Sequence, residues 1–297
     1  MRFQHRAIYD GDKARTQHEL PGLDADPDVQ SELVDRLEEV WASIDSMCAN
    51  LTEAQWKTPT DLPGWSVQDN VVHISGIESS VLGRPAPDHK PPDYDHVKNE
   101  VGQRNEVWID SRRSWSGADV LDEFREVMST RLAQLRGFTG SDFDAESWTP
   151  AGPGTVRDLL PFRIFDSWAH EQDIRRAVDQ PCDLDSPVAD LAFGRVLSAL
   201  PYVVGKKVGP PDGTTVVFDV SGSRPTTIAI GVEGGRAKPL SSPPETPTVT
   251  LAMDAQTLAC LGLGRWDPST SLEAGQVKVA GDDELGRAIV GQMNFMF

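Results

Sequence analysis

Cysteine is scarce in this chain. There are three in 297 residues, Cys48, Cys182 and Cys260, with no CxxC pair. An odd count at such spacing supplies neither a disulfide framework nor a thiolate zinc cluster, and it fits a reducing compartment. Long apolar runs are also missing: no stretch reads as the ~18 apolar residues of a membrane-spanning helix. Basic tracts are absent. Lys and Arg number 28 against 46 Asp and Glu, and the formal net charge is −18. Such a chain repels nucleic acid and anionic membranes, so neither is an expected partner. Met1 to Asp28 carries no apolar core of a secretory signal and reads as a polar N-terminal arm over residues 1–27. Together these absences predict a cytoplasmic globular protein.

What is present divides into two styles, and 297 residues are enough for two cores. Residues 28–208 read as helical. Asp26-Pro27 is an N-cap followed by Pro at N1. Leu33, Leu37, Val40, Trp41, Ile44 and Cys48 then keep helical period to about residue 49. A second helix starts at Ser66. A Pro-rich loop follows (Pro85, Pro87, Pro91, Pro92), leading to a weaker helix over 95–112. Ser116 caps a helix with Val120, Phe124, Val127 and Leu135 on one face. Thr155 opens a helix to about Val178, and another covers roughly 187–205. Pro63-Gly-Trp-Ser66-Val-Gln-Asp69 and Pro153-Gly-Thr155-Val-Arg-Asp158 echo each other. Both read as Ser/Thr-x-x-Asp starts, a shortened capping box.

Residues 209–297 read as a small α+β domain. Thr214 to Val220 and Thr226 to Val232 are β-branched runs beside turn residues, hence paired strands. A short strand follows at 248–253. Asp254 caps a helix through Leu261, Gln276 to Val279 is a further strand, and Gly281-Asp282 opens a last helix.

The richest segment is Asp166-Ser-Trp-Ala-His170-Glu-Gln-Asp173-Ile-Arg175-Arg176. Asp166 and His170 stand one helical turn apart, and Asp173 continues their face. A carboxylate and an imidazole so placed can grip one metal ion or share one proton. They lie among Phe162, Phe165 and Trp168, where unpaired polar groups are costly. A third ligand must come from another helix. Of six histidines, only His73 sits in a well-patterned one, and bundle sites are built from facing helices. His73, Asp166 and His170 would offer two nitrogens and one oxygen. That set suits zinc with an open position, and iron(II), nickel or cobalt as well. The same residues also serve as buried hydrogen bonds without any metal, and Asp173 serves equally as a partner of His170 or of the neighbouring arginines.

Leu51-Thr-Glu-Ala-Gln-Trp56 and Leu62-Pro-Gly-Trp65-Ser-Val-Gln-Asp69-Asn-Val-Val-His73 resemble the N-terminal domain of the mycothiol-dependent maleylpyruvate isomerases. Asp166-Ser-Trp-Ala-His170-Glu-Gln-Asp173 matches that family's second signature. Gly262-Leu-Gly-Arg265 and Val279-Ala-Gly-Asp282 resemble its appended domain. The resemblance implies a DinB-like four-helix bundle with extra helices, followed by a sterol-carrier-like α+β domain. It places the metal ligands on His73, Asp166 and His170, with Asp166 where the isomerase motif has Glu. It implies a divalent metal, zinc first, and mycothiol as thiol cosubstrate. A metal-held thiolate then adds to a small electrophile, unsaturated carboxylates among them, in an isomerase or S-transferase reaction. Arg265 is the candidate catalytic cation for the substrate carboxylate, and Asp173 the residue that orients His170. The partners are thus a small-molecule thiol and an electrophile. Two other readings stay open: a DinB-like hydrolase using metal-activated water, and a metal-stapled protein that binds an apolar ligand without catalysis. Pocket residues are expected from loops 83–95 and 137–154.

Overall fold

The computed structural model describes residues 27–296, so the expected N-terminal arm lies outside the described residues. Helix α1 (Pro27–Cys48) buries Leu33, Leu37, Val40, Trp41, Ile44 and Cys48, the stripe read from the sequence. A one-turn helix α2 (Glu53–Trp56) leads to α3 (Val67–Val81). Then come α4 (Glu100–Asp110), α5 (Gly117–Arg136) and a short α6 (Gly140–Phe143). A hairpin of β1 (Glu146–Thr149) and β2 (Gly152–Thr155) runs directly into α7 (Val156–Ala177). Helices α1, α3, α5 and α7 form the four-helix bundle, with α7 packed on both α1 and α3. Both echoed motifs are true capping boxes. Ser66 and Asp69 close the start of α3, and Thr155 and Asp158 close the start of α7. Each box fixes where helical register begins, and so which face the later ligands share.

Helix α8 (Pro187–Tyr202) continues into a π-helical turn, Val203–Val208, that ends at left-handed Gly209. The expectation that no stretch could span a membrane is corrected here. Pro187–Val208 is 22 residues with mean hydropathy 1.3, enough by length and composition. Its apolarity has an internal reason. Val188, Ala189, Ala192, Phe193, Val196, Leu200, Val203 and Val204 are all buried, and α8 packs on α7 as well as on elements of the C-terminal sheet region.

The C-terminal part holds β3 (Thr215–Ser221), β4 (Thr226–Glu233), β5 (Arg236–Pro239) and β6 (Val249–Asp254). Helices α9 (Ala255–Gly262) and α10 (Pro268–Glu273), strand β7 (Lys278–Gly281) and helix α11 (Asp283–Gly291) complete it. The sheet order is β5-β4-β3-β6-β7, with β3 and β6 parallel and the other pairs antiparallel. The sequence reading did not include β5, α10 or the β1–β2 hairpin. Each is a short element rich in polar residues, Gly or Pro, and lacks a periodic apolar signal. One apolar cluster runs from α1 through α8 into the sheet, so both parts share a core.

Candidate metal centre

Helix α7 carries Arg163, Asp166, His170, Asp173 and Arg176 at steps of three or four, which stacks them along one face. Helix α3 presents Asn70 and His73 to that face. The three expected ligands come together. His73 Nε2 lies 3.5 Å from Asp166 Oδ2, and His170 Nε2 lies 3.7 Å from Asp166 Oδ1. One ligand atom from each residue falls within 4.8 Å of the others. In a tetrahedral site with ligand bonds of ~2.0–2.1 Å, neighbouring ligand atoms stand about 3.4 Å apart. The spacing is therefore that of a cage needing only small closure.

The protonation states suit a cation. Burial pushes the His73 pKa down to about 4, against the pull of Asp166, so its imidazole is neutral at pH 7. Its Nδ1 is buried without a partner, and its Nε2 has only the 3.5 Å approach to Asp166. A buried imidazole with neither nitrogen in a normal hydrogen bond is costly, and a cation among the three donors would relieve this. Burial acts to raise the Asp166 pKa, but Arg163, His73 and His170 hold it well below the usual carboxylate range. Burial likewise disfavours charge on His170, yet Asp166 and Asp173 outweigh it and raise its pKa. A divalent cation would replace that proton.

The orientation of His170 comes from a residue the sequence reading did not include. Asn70 Nδ2 donates to the Ser66 carbonyl at 2.8 Å, which turns its Oδ1 toward His170 Nδ1 at 2.7 Å. His170 Nδ1 thus carries the proton, and the Nε2 lone pair faces the site. Asp173, expected as the orienting group, is also present, at the longer distance of 3.4 Å from Nδ1.

Arg265 reaches the bundle from the C-terminal part, but its fork is already engaged. Leu263 caps the end of α9. Gly264 takes φ +70°, and Arg265 N donates to the Cys260 carbonyl at 2.7 Å, a Schellman turn. The left-handed φ favours glycine, and a Cβ there would stand 2.5 Å from the Asn294 amide, which would have to shift. The turn projects Arg265 onto Asp173. Nε lies 3.0 and 3.1 Å from the two carboxylate oxygens, Nη2 donates to Oδ2 at 2.8 Å, and Nη1 donates to the Leu263 carbonyl at 2.9 Å. Arg176 binds the same carboxylate at 2.6 Å and Asp61 at 2.6 Å. Asp173 is fully buried. Burial would raise its pKa, but Arg265, with help from His170, depresses it strongly.

Two further groups frame the ligands. Arg163 Nη1 donates to Asp166 Oδ2 at 2.9 Å, and its Nε donates to buried Glu78 at 2.6 Å. Arg131 of α5 holds the other oxygen of Glu78 at 3.2 Å. Trp65 lies over both imidazoles, 4.9 Å from His73 and 5.7 Å from His170 between ring centres. Its Nε1 donates to Glu106, which also bonds His96 from the Pro-rich segment. Trp168 is wholly buried and donates to the Asp183 carbonyl, while Phe162 and Phe165 face Arg195 of α8. From the expected pocket loops, His89 and Tyr94 instead bond Asp110 of α4.

Residues 37–175 match the family model described as the mycothiol maleylpyruvate isomerase N-terminal domain, and residues 190–288 match the MDMPI C-terminal domain. No curated protein matches the chain. Among solved structures it is similar to the mycothiol-dependent maleylpyruvate isomerase, with 13% identity and a TM-score of 0.53, covering 84% of this chain and 92% of that one. A histidine-to-alanine mutant of that isomerase gives the same identity and coverage with a TM-score of 0.51. Identity at this level speaks to the fold, whereas the two domain matches together take in both the helical and the α+β parts. The chain belongs to the mycothiol-dependent maleylpyruvate isomerase family.

Proposed function

We propose that this protein is a metal- and mycothiol-dependent enzyme that isomerises, or transfers the thiol to, a small electrophilic carboxylate. The observation that carries the reading is the convergence of His73, Asp166 and His170 on one point, with a neutral, otherwise unsatisfied His73 imidazole. These three residues would hold a divalent ion, zinc fitting the donor set first. Such an ion lowers the pKa of a thiol bound to it, which supplies a nucleophile at neutral pH.

The protein's own residues do the rest. Asn70 keeps the His170 lone pair aimed inward. Arg163 fixes the rotamer of Asp166, and Trp65 shields the two imidazoles from water. No thiol of the chain is suited to the nucleophile's task. Burial pushes both Cys48 and Cys260 up to about 12 and raises Cys182 as well. The thiol in this reading is therefore an external one.

The test is elemental analysis of wild type and His170→Ala, alongside a maleylpyruvate assay with and without mycothiol. The expected result is one metal per chain, lost in the variant, and turnover only when mycothiol is present. Absence of metal from the wild type, or turnover indifferent to thiol, would remove the reading.

A further inference from the structure

The triad has a closed flank and an open one. The side chains of His73 and His170 are 6% and 8% exposed, whereas that of Asp166 is 24% exposed. Buried Trp65 lies against the two histidines. It belongs to the turn before α3. There Trp65 N donates to the Leu62 carbonyl at 3.1 Å, and the Trp65 carbonyl accepts from Thr60 N at 2.9 Å. These bonds fix its backbone but not the rotamer of its side chain. An indole has a single donor, and here Nε1 spends it on Glu106 Oε1 at 2.9 Å.

Glu106 is a carboxylate of α4 at 2% exposure, and burying a carboxylate is costly without donors around it. Three segments supply them. Trp65 comes from the turn before α3. His96, from the Pro-rich segment, brings Nε2 to 2.8 Å from the same oxygen. Arg113, just beyond α4, brings Nη2 to 3.1 Å from Oε2. The approach of His96 depends on the glycine beside Trp65. Gly64 has φ +80°, and a Cβ there would stand 2.3 Å from His96 Nδ1. Arg113 also pairs with Asp110, which in turn bonds His89 and Tyr94 of the Pro-rich segment. Glu106 is thus where that segment, α4 and the cover of the triad meet.

We infer that Glu106 is a positioning residue for the metal centre: it pins Trp65 across the histidine flank, so that ligands exchange at the Asp166 flank. The inference rests on the metal-binding reading above and deepens it by assigning the group that sets the direction of access. With the anchor in place, the indole keeps water from the two imidazoles. Without it, the ring is free to turn away and water reaches them.

The test is a double-mutant cycle in the full chain with Trp65→Phe and Glu106→Ala. Trp65→Phe keeps a ring but has no N–H to anchor. Each zinc-loaded protein is mixed with a chromophoric chelator and the rate of zinc release is followed, while urea unfolding reports stability separately. Each single variant should release zinc about tenfold faster than wild type, in line with the loss of an outer-shell contact. The double variant should be no faster than the faster single, because both changes remove one anchor. Glu106→Gln keeps an oxygen for the indole and should release zinc at close to the wild-type rate. A second readout uses the zinc-free chain. The fluorescence lost on Trp65→Phe isolates the Trp65 signal, and acrylamide should quench that signal more strongly with Ala than with Glu at position 106. Zinc release unchanged in Glu106→Ala, effects that multiply in the double variant, or equal quenching in the two backgrounds would overturn the assignment while leaving the functional reading intact. A wild-type chain that binds no zinc would overturn both. Zinc held as expected but without turnover would remove the reaction and keep the anchor.

Discussion

Arg265 offers a decisive perturbation, because its contacts separate a substrate-binding role from a clamp on Asp173. In Arg265→Met the Asp173 carboxylate loses contacts of 3.0, 3.1 and 2.8 Å while staying buried. Removing one partner of a buried pair costs about 3–5 kcal/mol, mostly from the charge left behind. Asp173 keeps Arg176 at 2.6 Å and a weaker approach from His170, so the lower end applies, about 3 kcal/mol. Asp173→Asn should be costly too, because two guanidiniums then face a neutral amide. In the double variant neither charge of the pair is left behind, so the losses should fall short of additive by about 2 kcal/mol. Urea unfolding of the four proteins at pH 7 reads this directly. Single losses below about 1 kcal/mol that simply add, together with a raised KM at unchanged stability in Arg265→Met, would refute the clamp and return Arg265 to the substrate.

Three other outcomes follow from the same geometry. Asn70→Ala removes the acceptor of His170 Nδ1 and should weaken metal binding by about 10- to 100-fold in competition with a chromophoric chelator; unchanged affinity would mean that Asp173 alone orients the ring. A carboxylate depressed in the folded state stabilises above its unfolded pKa of ~4 and loses that contribution as pH falls below it. Asp173 is such a group, so between about pH 5 and pH 3 wild type should lose more stability than Asp173→Asn, and parallel urea midpoints would contradict this. Cys48 and Cys260, buried and pushed up to about 12, should resist iodoacetamide in the native protein at pH 8 and react in denaturant; native labelling of either would disprove their burial as inert thiols.

The helical bundle was legible because its signals are local. Leu33 to Cys48 repeat at helical period, and the two Ser/Thr-x-x-Asp boxes mark the starts of α3 and α7. The spacing of Asp166, His170 and Asp173 announced one face, and His73 was found by asking which histidine could face it. Asn70 sits only one turn before His73, but an amide in a helix gives no signal of its own. Arg163 and Glu78 were hidden for a different reason. Their meaning lies in a pairing across 85 positions, which no local pattern encodes. Arg265 was placed at the bundle by resemblance, but its partner depended on a Schellman turn and a three-dimensional approach.

The charges around the triad impose a last constraint. Asp166, Asp173, Glu78 and Asp61 are matched by Arg163, Arg131, Arg265 and Arg176, four carboxylates against four guanidiniums. These pairs cancel, His73 adds nothing at pH 7, and His170, with its raised pKa, holds the proton that a cation would displace. A dication there would leave two positive charges without local compensation in a partly dry site, where charge is expensive. Two monoanions would balance it, and a thiolate with a carboxylate-bearing substrate would be one such pair. The pairing of Arg163 with Asp166, and of Arg265 with Asp173, thus leaves the charge of a bound dication to be met by the anionic ligands it takes up.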